Sequence, residues 1–289
     1  MPELPEVESV RIGSQDWFSG RRIRTVRVFN SRSVRHHEQG VGDFEDRLAG
    51  VRLGDFVRRG KFMWVPLDSG DLLTFHLGMS GQIRASGSGG RAELEKNPHL
   101  RVTIEFDDQR EVLHFVDQRT FGYLRIDTAA VLSETGELPI PESLAHIAPD
   151  PFDPDFDLDM VVAKAKSKRS PIKSVLLDQS VVSGIGNIYA DEALWRAQIR
   201  WSTEASRLSV GRIRALYQAA TEVMTEAIAV GGTSFDALYV NVNGESGYFE
   251  RSLHSYGREG EPCDRCGSLI IRERFANRSS FRCPDCQRR

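Results

Sequence analysis

The sequence predicts an α+β protein of two domains: an N-terminal antiparallel β-sandwich led by a helix, then a helical bundle that ends in a small β-hairpin module. Three observations predict it. Short stretches of period-two alternation fill residues 1–133, the apolar period lengthens to that of a helix after residue 157, and all four cysteines fall in two Cys-x-x-Cys pairs near the end. At 289 residues, 40% hydrophobic and 27% charged, the chain can bury more than one core, so disorder is not the default. No apolar run approaches the ~20 residues of a membrane span, and the N-terminus lacks the basic, apolar, small-residue order of a secretion signal. A cytoplasmic location is expected.

The first element opens Met1-Pro2-Glu3-Leu4-Pro5-Glu6-Val7-Glu8. Pro5 presets φ for a first helical turn, and Val7, Val10, Ser14, Trp17 and Phe18 carry the helical period onward. Trimming of the initiator methionine, which a small second residue favours, would leave Pro2 as a terminal secondary amine. Such an amine titrates near ~7.7–8.0, so part of it is a neutral nucleophile at pH 7, and the positive end of the helix dipole disfavours its protonation further. Attack on an aldehyde-like carbon gives a cationic iminium, an electron sink for elimination at the neighbouring carbon. Glu3 stands beside it to move protons. The same residues also suit ordinary N-terminal helix chemistry.

Alternation at Ile23–Val28, Leu100–Phe106 and 112–116, with punctuation at Gly54-Asp55, Asp68-Ser69-Gly70, 86–90 and Asp107-Asp108, predicts the sandwich. Prolines 139, 141, 149, 151 and 154 among acids mark 134–157 as a linker. Helices follow at Leu158–Lys166, 171–177 and 187–198, and a longer one runs from an N-cap at Ser209 to a stop at Gly231-Gly232, so 158–232 reads as a helical domain. Residues 233–260 lack periodicity and read as a loop.

Cys263, Cys266, Cys283 and Cys286 form two pairs sixteen residues apart, the spacing of a four-thiolate zinc ribbon over 261–289. Two disulfides are the competing pattern, disfavoured in a reducing cytoplasm. Four thiolates fill a tetrahedron and leave no position for water, so one structural Zn2+ is expected. The hairpin between the pairs carries Arg272, Arg274 and Arg278. Although the net charge is −3, arginines dominate the chain after residue 250, and Lys164, Lys166, Lys168, Arg169 and Lys173 occur with no acid among them. Local basic faces of this kind suit phosphates. Ser183-Gly184-Ile185-Gly186-Asn187 is a glycine turn feeding a helix, whose free N–H groups can take an anion. It lacks the third glycine and preceding strand of a dinucleotide site.

These stretches, with Lys61, Phe75-His76-Leu77-Gly78-Met79-Ser80-Gly81 and Asp117-Gln118-Arg119-Thr120-Phe121-Gly122, resemble in content and order the formamidopyrimidine-DNA glycosylases, bacterial enzymes that excise oxidised purines. Taken alone, Met79 would be core and Lys61, His99, Lys168 and Arg169 surface groups. The resemblance implies a helix-two-turn-helix bundle and a bifunctional DNA glycosylase/AP lyase of base excision repair. It would act as a monomer on damaged double-stranded DNA in a cationic cleft, with 233–260 recognising the lesion. It further implies Pro2 as nucleophile forming the Schiff base, Glu3 as proton donor, Lys61 aiding β-elimination and Arg278 aiding δ-elimination. Met79, Arg119 and Phe121 would fill the gap left by an everted nucleotide, while Asn187 grips phosphate and His76, His99, Lys168, Arg169 and Lys173 contact DNA. This chain departs from the family pattern at Gln118 and Thr120, where Pro and Arg are common, and at Asn97, where relatives often have histidine. Two alternatives stay open: an endonuclease VIII-like glycosylase for oxidised pyrimidines, a class that usually has glycine where this chain has Leu4, and a non-enzymatic zinc-ribbon DNA-binding protein.

Overall fold

A computed structural model of the chain describes residues 2–86, 90–132, 139–232, 242 and 252–288. Of these, residues up to His146 together with 231, 232 and 242 form one compact unit, and Ile147–Val230 with 252–288 form a second.

The first unit opens with helix α1 (Leu4–Phe18), which places a proline in its first turn and closes that turn with a capping box between Glu3 and Glu6. Two antiparallel four-stranded sheets follow. One runs β1 (Ile23–Val28), β6 (Leu100–Phe106), β7 (Val112–Asp117), β5 (Gly81–Ser86); the other runs β2 (Val57–Arg59), β3 (Phe62–Pro66), β4 (Leu72–His76), β8 (Tyr123–Asp127). Their facing residues, including Val26, Met63, Val65, Leu73, Phe75, Ile83, Val102, Ile104, Leu113, Phe115 and Leu124, make one core that also takes Val7, Val10 and Phe18 of α1. Alternation works here because period two puts every second side chain into that core. Helices α2 (Gly40–Leu48) and α3 (Arg91–Glu95) lie in connections that show no helical period long enough to predict them.

The predicted linker 134–157 divides differently. Pro139–Pro141 is strand β10, paired with β9 (Ala129–Leu132) in the first unit, and the boundary falls between His146 and Ile147. Proline is tolerated there because a two-stranded edge does not use every N–H.

In the second unit α4 (Leu158–Lys166) is capped by Asp157, which accepts from the N–H of Asp159 at 2.8 Å and of Met160 at 3.1 Å. Then come α5 (Ile172–Leu176), α6 (Asn187–Arg196) and α7 (Val210–Ala229), the last capped by Ser209 and followed by Gly231 and Gly232, both at positive φ. The hairpin β11 (Ile271–Phe275) and β12 (Arg278–Arg282) packs on α6, so the zinc ribbon and the helices share one compact unit. No helix among the described residues is long and apolar enough to cross a membrane. Of the predicted loop 233–260, only Val242 and 252–260 are among the described residues; Met1 also lies outside them.

Candidate functional site

Strand register gathers most of the first unit's candidates at one end of the sandwich. Phe62 pairs with His76 and His76 with Tyr123 across one sheet, so Lys61 just before Phe62, the turn after His76 and the turn before Tyr123 all leave the same edge. In the other sheet Gly81 pairs with Asp117, and Leu100 with Val116, which brings the start of β5, the end of β7 and His99 to that same end.

Lys61 occupies the two-residue β2–β3 turn behind Gly60, which has positive φ, and is buried. That turn is tied to α1. Glu8 Oε2 accepts from Arg58 Nε at 2.7 Å, Glu8 also takes Arg11, and Arg58 donates to the Gly60 carbonyl at 3.2 Å. Burial would raise the Glu8 carboxyl, but the two guanidinium groups bring it below its ordinary value. Helix start and lysine turn are thereby braced together. At the head of α1, Glu3 is buried and its N–H donates to Glu6 Oε2 at 2.8 Å; Pro2 precedes it, half-buried.

His76 sits between two aromatic faces, its ring 4.7 Å from Phe62 and 5.3 Å from Tyr123. Burial, then the charges of Lys61 and Arg35, hold its pKa down at about 4, so the ring is neutral at pH 7. Its Nδ1 is buried without a hydrogen-bond partner.

Met79, Arg119 and Phe121 are exposed and sit on two turns that touch through backbone: a Cβ added at Gly78 would stand 2.4 Å from Gly122 N. Asp117, fully buried, joins the turns. Its Oδ1 accepts from Ser80 Oγ at 2.6 Å and from Arg119 N at 3.2 Å, and its Oδ2 from Gly122 N at 2.7 Å. The Arg119 guanidinium lies 5.6 Å from the Phe121 ring centre. Thr120, between them, has φ +53°, a left-handed conformation that costs a β-branched residue ~1–3 kcal/mol. His99 is half-buried at the foot of the same turn, its carbonyl accepting from Asp117 N at 2.9 Å.

In the second unit Arg278 is exposed as the first residue of β12, beyond the tip residues Ala276 and Asn277. Asn187 opens α6 and its Nδ2 donates to the Ser279 carbonyl at 3.0 Å, next to Arg278, while its Oδ1 is buried without a partner. Arg169 is exposed, and Lys168 pairs with Asp178 at 3.0 Å with both side chains about a third exposed. Lys173 does not fit the DNA-contact role expected of it. It is fully buried, with Nζ 2.7 Å from Asp191 Oδ1 and 4.9 Å from the Phe275 ring centre. Burial pushes the Asp191 carboxyl up; Lys173, the Phe281 N–H and the Ser280 hydroxyl pull it back toward ionisation. Lys173 therefore holds α5, α6 and the hairpin together from inside.

The sulfurs of Cys263, Cys266, Cys283 and Cys286 lie within 4.8 Å of one another, with separations of 3.4, 3.5 and 4.0 Å for 266–283, 266–286 and 263–286. Four Zn–S bonds of ~2.3 Å place tetrahedral sulfurs roughly 3.8 Å apart, so the donor set fits one structural zinc, and no pair is at disulfide distance. Trp195 Nε1 donates to Cys263 Sγ at 3.4 Å, and Cys283 N–H donates to Gln287 Oε1 at 2.9 Å.

Residues 1–124 match the formamidopyrimidine-DNA glycosylase N-terminal domain, 147–238 the formamidopyrimidine-DNA glycosylase H2TH domain, and 260–289 the zinc finger found in FPG and IleRS. The chain belongs to the formamidopyrimidine-DNA glycosylase family. It is 53% identical over 289 residues to the formamidopyrimidine-DNA glycosylase of Mycolicibacterium smegmatis, covering 100% of this chain and 98% of that one. To that of Thermobifida fusca it is 49% identical over 292 residues, with the same coverage. Among solved structures, a Lactococcus lactis FPG mutant bound to Fapy-dG containing DNA superposes with TM-score 0.85 at 29% identity over 100% of both chains. MutM in complex with carbocyclic 8-oxo-G containing DNA gives 0.84 at 30%, again over 100% of both.

Sequence reasoning missed the residues that hold the family's side chains in place: Asp117, Ser80, Arg35 and the Glu8–Arg58 brace. Only the exposed, chemistry-bearing members of each turn stand out in the sequence. Their supports become visible once strand register is known.

Proposed function

We propose that this chain is a bifunctional DNA glycosylase/AP lyase of base excision repair that removes oxidised purines, 8-oxoguanine and formamidopyrimidines among them, from duplex DNA. The observation that carries the reading is the convergence of Lys61, His76 and the Met79, Arg119 and Phe121 turns at one end of the first unit, with the helix that Pro2 and Glu3 precede braced to the Lys61 turn through Glu8 and Arg58. Family membership over the whole chain supports it.

With the initiator methionine removed, the Pro2 nitrogen attacks C1′ of the everted nucleotide. The bond from C1′ to the base breaks, and Glu3 gives a proton to the ring oxygen as the sugar opens, leaving an iminium at C1′. Loss of a C2′ proton then expels the 3′ phosphate, and a second elimination expels the 5′ phosphate. Lys61 and Arg278 assist these steps by stabilising the departing phosphates, as their positive charge suits. Met79, Arg119 and Phe121 fill the space the nucleotide vacates, offsetting the few kcal/mol of lost stacking. Arg169, Asn187 and His99 supply phosphate contacts, and Lys168 joins them when phosphate competes with Asp178. His76, neutral at pH 7, offers phosphate a ring N–H and not a charge. Four reduced cysteines suit a cytoplasmic setting, and one chain carries every group the scheme needs.

Borohydride trapping on a duplex with 8-oxoguanine tests this. Wild type should give a covalent protein-DNA adduct, and Glu3→Gln should give none from the intact base. A wild-type protein with Pro2 exposed, confirmed by intact mass, that yields no adduct overturns the proposal. Faster incision at thymine glycol than at 8-oxoguanine in matched duplexes would favour the endonuclease VIII-like alternative.

A further inference from the structure

The turn that carries Arg119 and Phe121 is gripped from two sides, and only one side is the buried carboxylate of Asp117. From the other, Arg35 NH2 donates to the Phe121 carbonyl at 2.8 Å and NH1 to the Gly122 carbonyl at 2.9 Å. The same guanidinium donates to the Arg32 carbonyl at 2.8 Å and lies 5.2 Å from the Tyr123 ring centre. Its mount is fixed. Arg35 follows a 3-10 turn, Ser31–Val34, in which Asn30 caps the Arg32 N–H at 3.0 Å and Ser33 and Val34 are buried. Among the described residues no carboxylate lies within salt-bridge distance of Arg35, so its hydrogen bonds go to carbonyl oxygens. Two donors of one rigid plane on the adjacent Phe121 and Gly122 carbonyls, with a third bond to Arg32, is a fork that a guanidinium presents and the single nitrogen of a lysine does not. Asp117 takes the N–H groups at the two ends of the same turn, Arg119 N and Gly122 N. Between the two grips stands Thr120 in its left-handed conformation. A turn with a strained residue at its centre relaxes to another shape unless its flanks are held.

Resting on the function proposed above, we infer that Arg35 is a positioning residue for base extrusion: it fixes the height at which Arg119 and Phe121 enter the duplex. It contributes nothing to the bond-breaking steps, since it reaches the backbone of the turn and none of Pro2, Glu3 or Lys61. Its effect is therefore confined to substrates in which a stack must be opened and refilled. An abasic site in single-stranded DNA carries the same C1′ chemistry with no stack to fill, and gives the contrast.

The test compares Arg35→Ala and Arg35→Lys with wild type under single-turnover conditions. Each is given one abasic site, first in a duplex and then in the matching single strand, with borohydride trapping on the single strand fixing the active fraction of each preparation. The expected result for Arg35→Ala is a tenfold or greater fall on the duplex with the single-strand rate within twofold of wild type. Arg35→Lys, which keeps the charge and loses the fork, should fall by more than threefold on the duplex. An equal fall on both substrates would mean a general structural role and overturn the inference, as would unchanged duplex rates. Absence of trapping by wild type itself would instead strike the glycosylase/lyase reading.

Discussion

His114 makes a quantitative case for acid sensitivity. It lies in β7 with no exposed surface, Nε2 2.6 Å from Ser86 Oγ and Nδ1 3.3 Å from Thr103 Oγ1. Burial is the main cause that holds its pKa down at about 4, from an ordinary value of 6.5, with Glu95 and Glu105 opposing and Arg91 and Arg84 assisting. The folded state thus prefers neutral imidazole, and the unfolded state binds the proton more readily. Stability from this group is complete above pH 6.5 and declines as pH falls, levelling off near the folded value. At pH 5, still above that value, the loss is about 2 kcal/mol, because nearly the whole interval from 6.5 to 5 counts at ~1.4 kcal/mol per pH unit. The measurement is urea unfolding of the first unit at pH 7 and pH 5, for wild type and His114→Gln, in conditions where the transition is two-state. The variant has an arbitrary offset in stability, so the readout is the difference between the two pH values. That difference should shrink by about 2 kcal/mol, roughly 1 M in urea midpoint for an m-value of ~2 kcal/mol/M. An identical pH dependence in both proteins would show that His114 is either charged in the fold or hydrated, and the reasoning fails.

Two further outcomes follow from the second unit. Stripping zinc with a thiol-reactive mercurial and a chelator should release one zinc per chain, change Trp195 fluorescence through its bond to Cys263, and abolish binding to abasic duplex while leaving the circular dichroism of the sandwich in place; unchanged DNA binding in metal-free protein would count against a ribbon role. Lys173→Met should lower the stability of this unit by about 3–5 kcal/mol, since it leaves Asp191 buried beside an apolar group, and Lys173→Met with Asp191→Leu should recover part of that loss, both read by thermal melting. A double variant no better than the single would place the cost elsewhere.

How far the sequence foretold this molecule depends on the range of the interaction. The helix cap at Ser209, the bounds of the helix Leu158–Lys166, the alternation of β1 and β6 and the cysteine spacing are local patterns, and the structure keeps their boundaries closely. Lys173 was misread for a definite reason. Charge counting placed it in a basic surface run, yet Ile172, Lys173, Val175 and Leu176 are all buried on α5, and the partner that makes burial of an ammonium tolerable is Asp191, on a different helix. Arg35 grips a turn 86 residues further along the chain, and Asp117, which takes N–H groups of its own turn, also takes the Ser80 hydroxyl from 37 residues away; neither long-range partner shows in a local pattern. That β12 docks on α6 has no local pattern in the sequence and shows only in the fold.

Helix α6 is the common bearing for several parts of the second unit. Asn187 at its start and Asp191 further along seize the strand that begins with Arg278. Glu192 accepts three successive N–H groups from His254, Ser255 and Tyr256, and Trp195 stacks on the His254 ring while meeting a zinc-binding sulfur. Grafting the ribbon of a relative onto this chain without its own α6 would sever every one of these seams at once, so a working chimera has to exchange helix and ribbon as a single cassette.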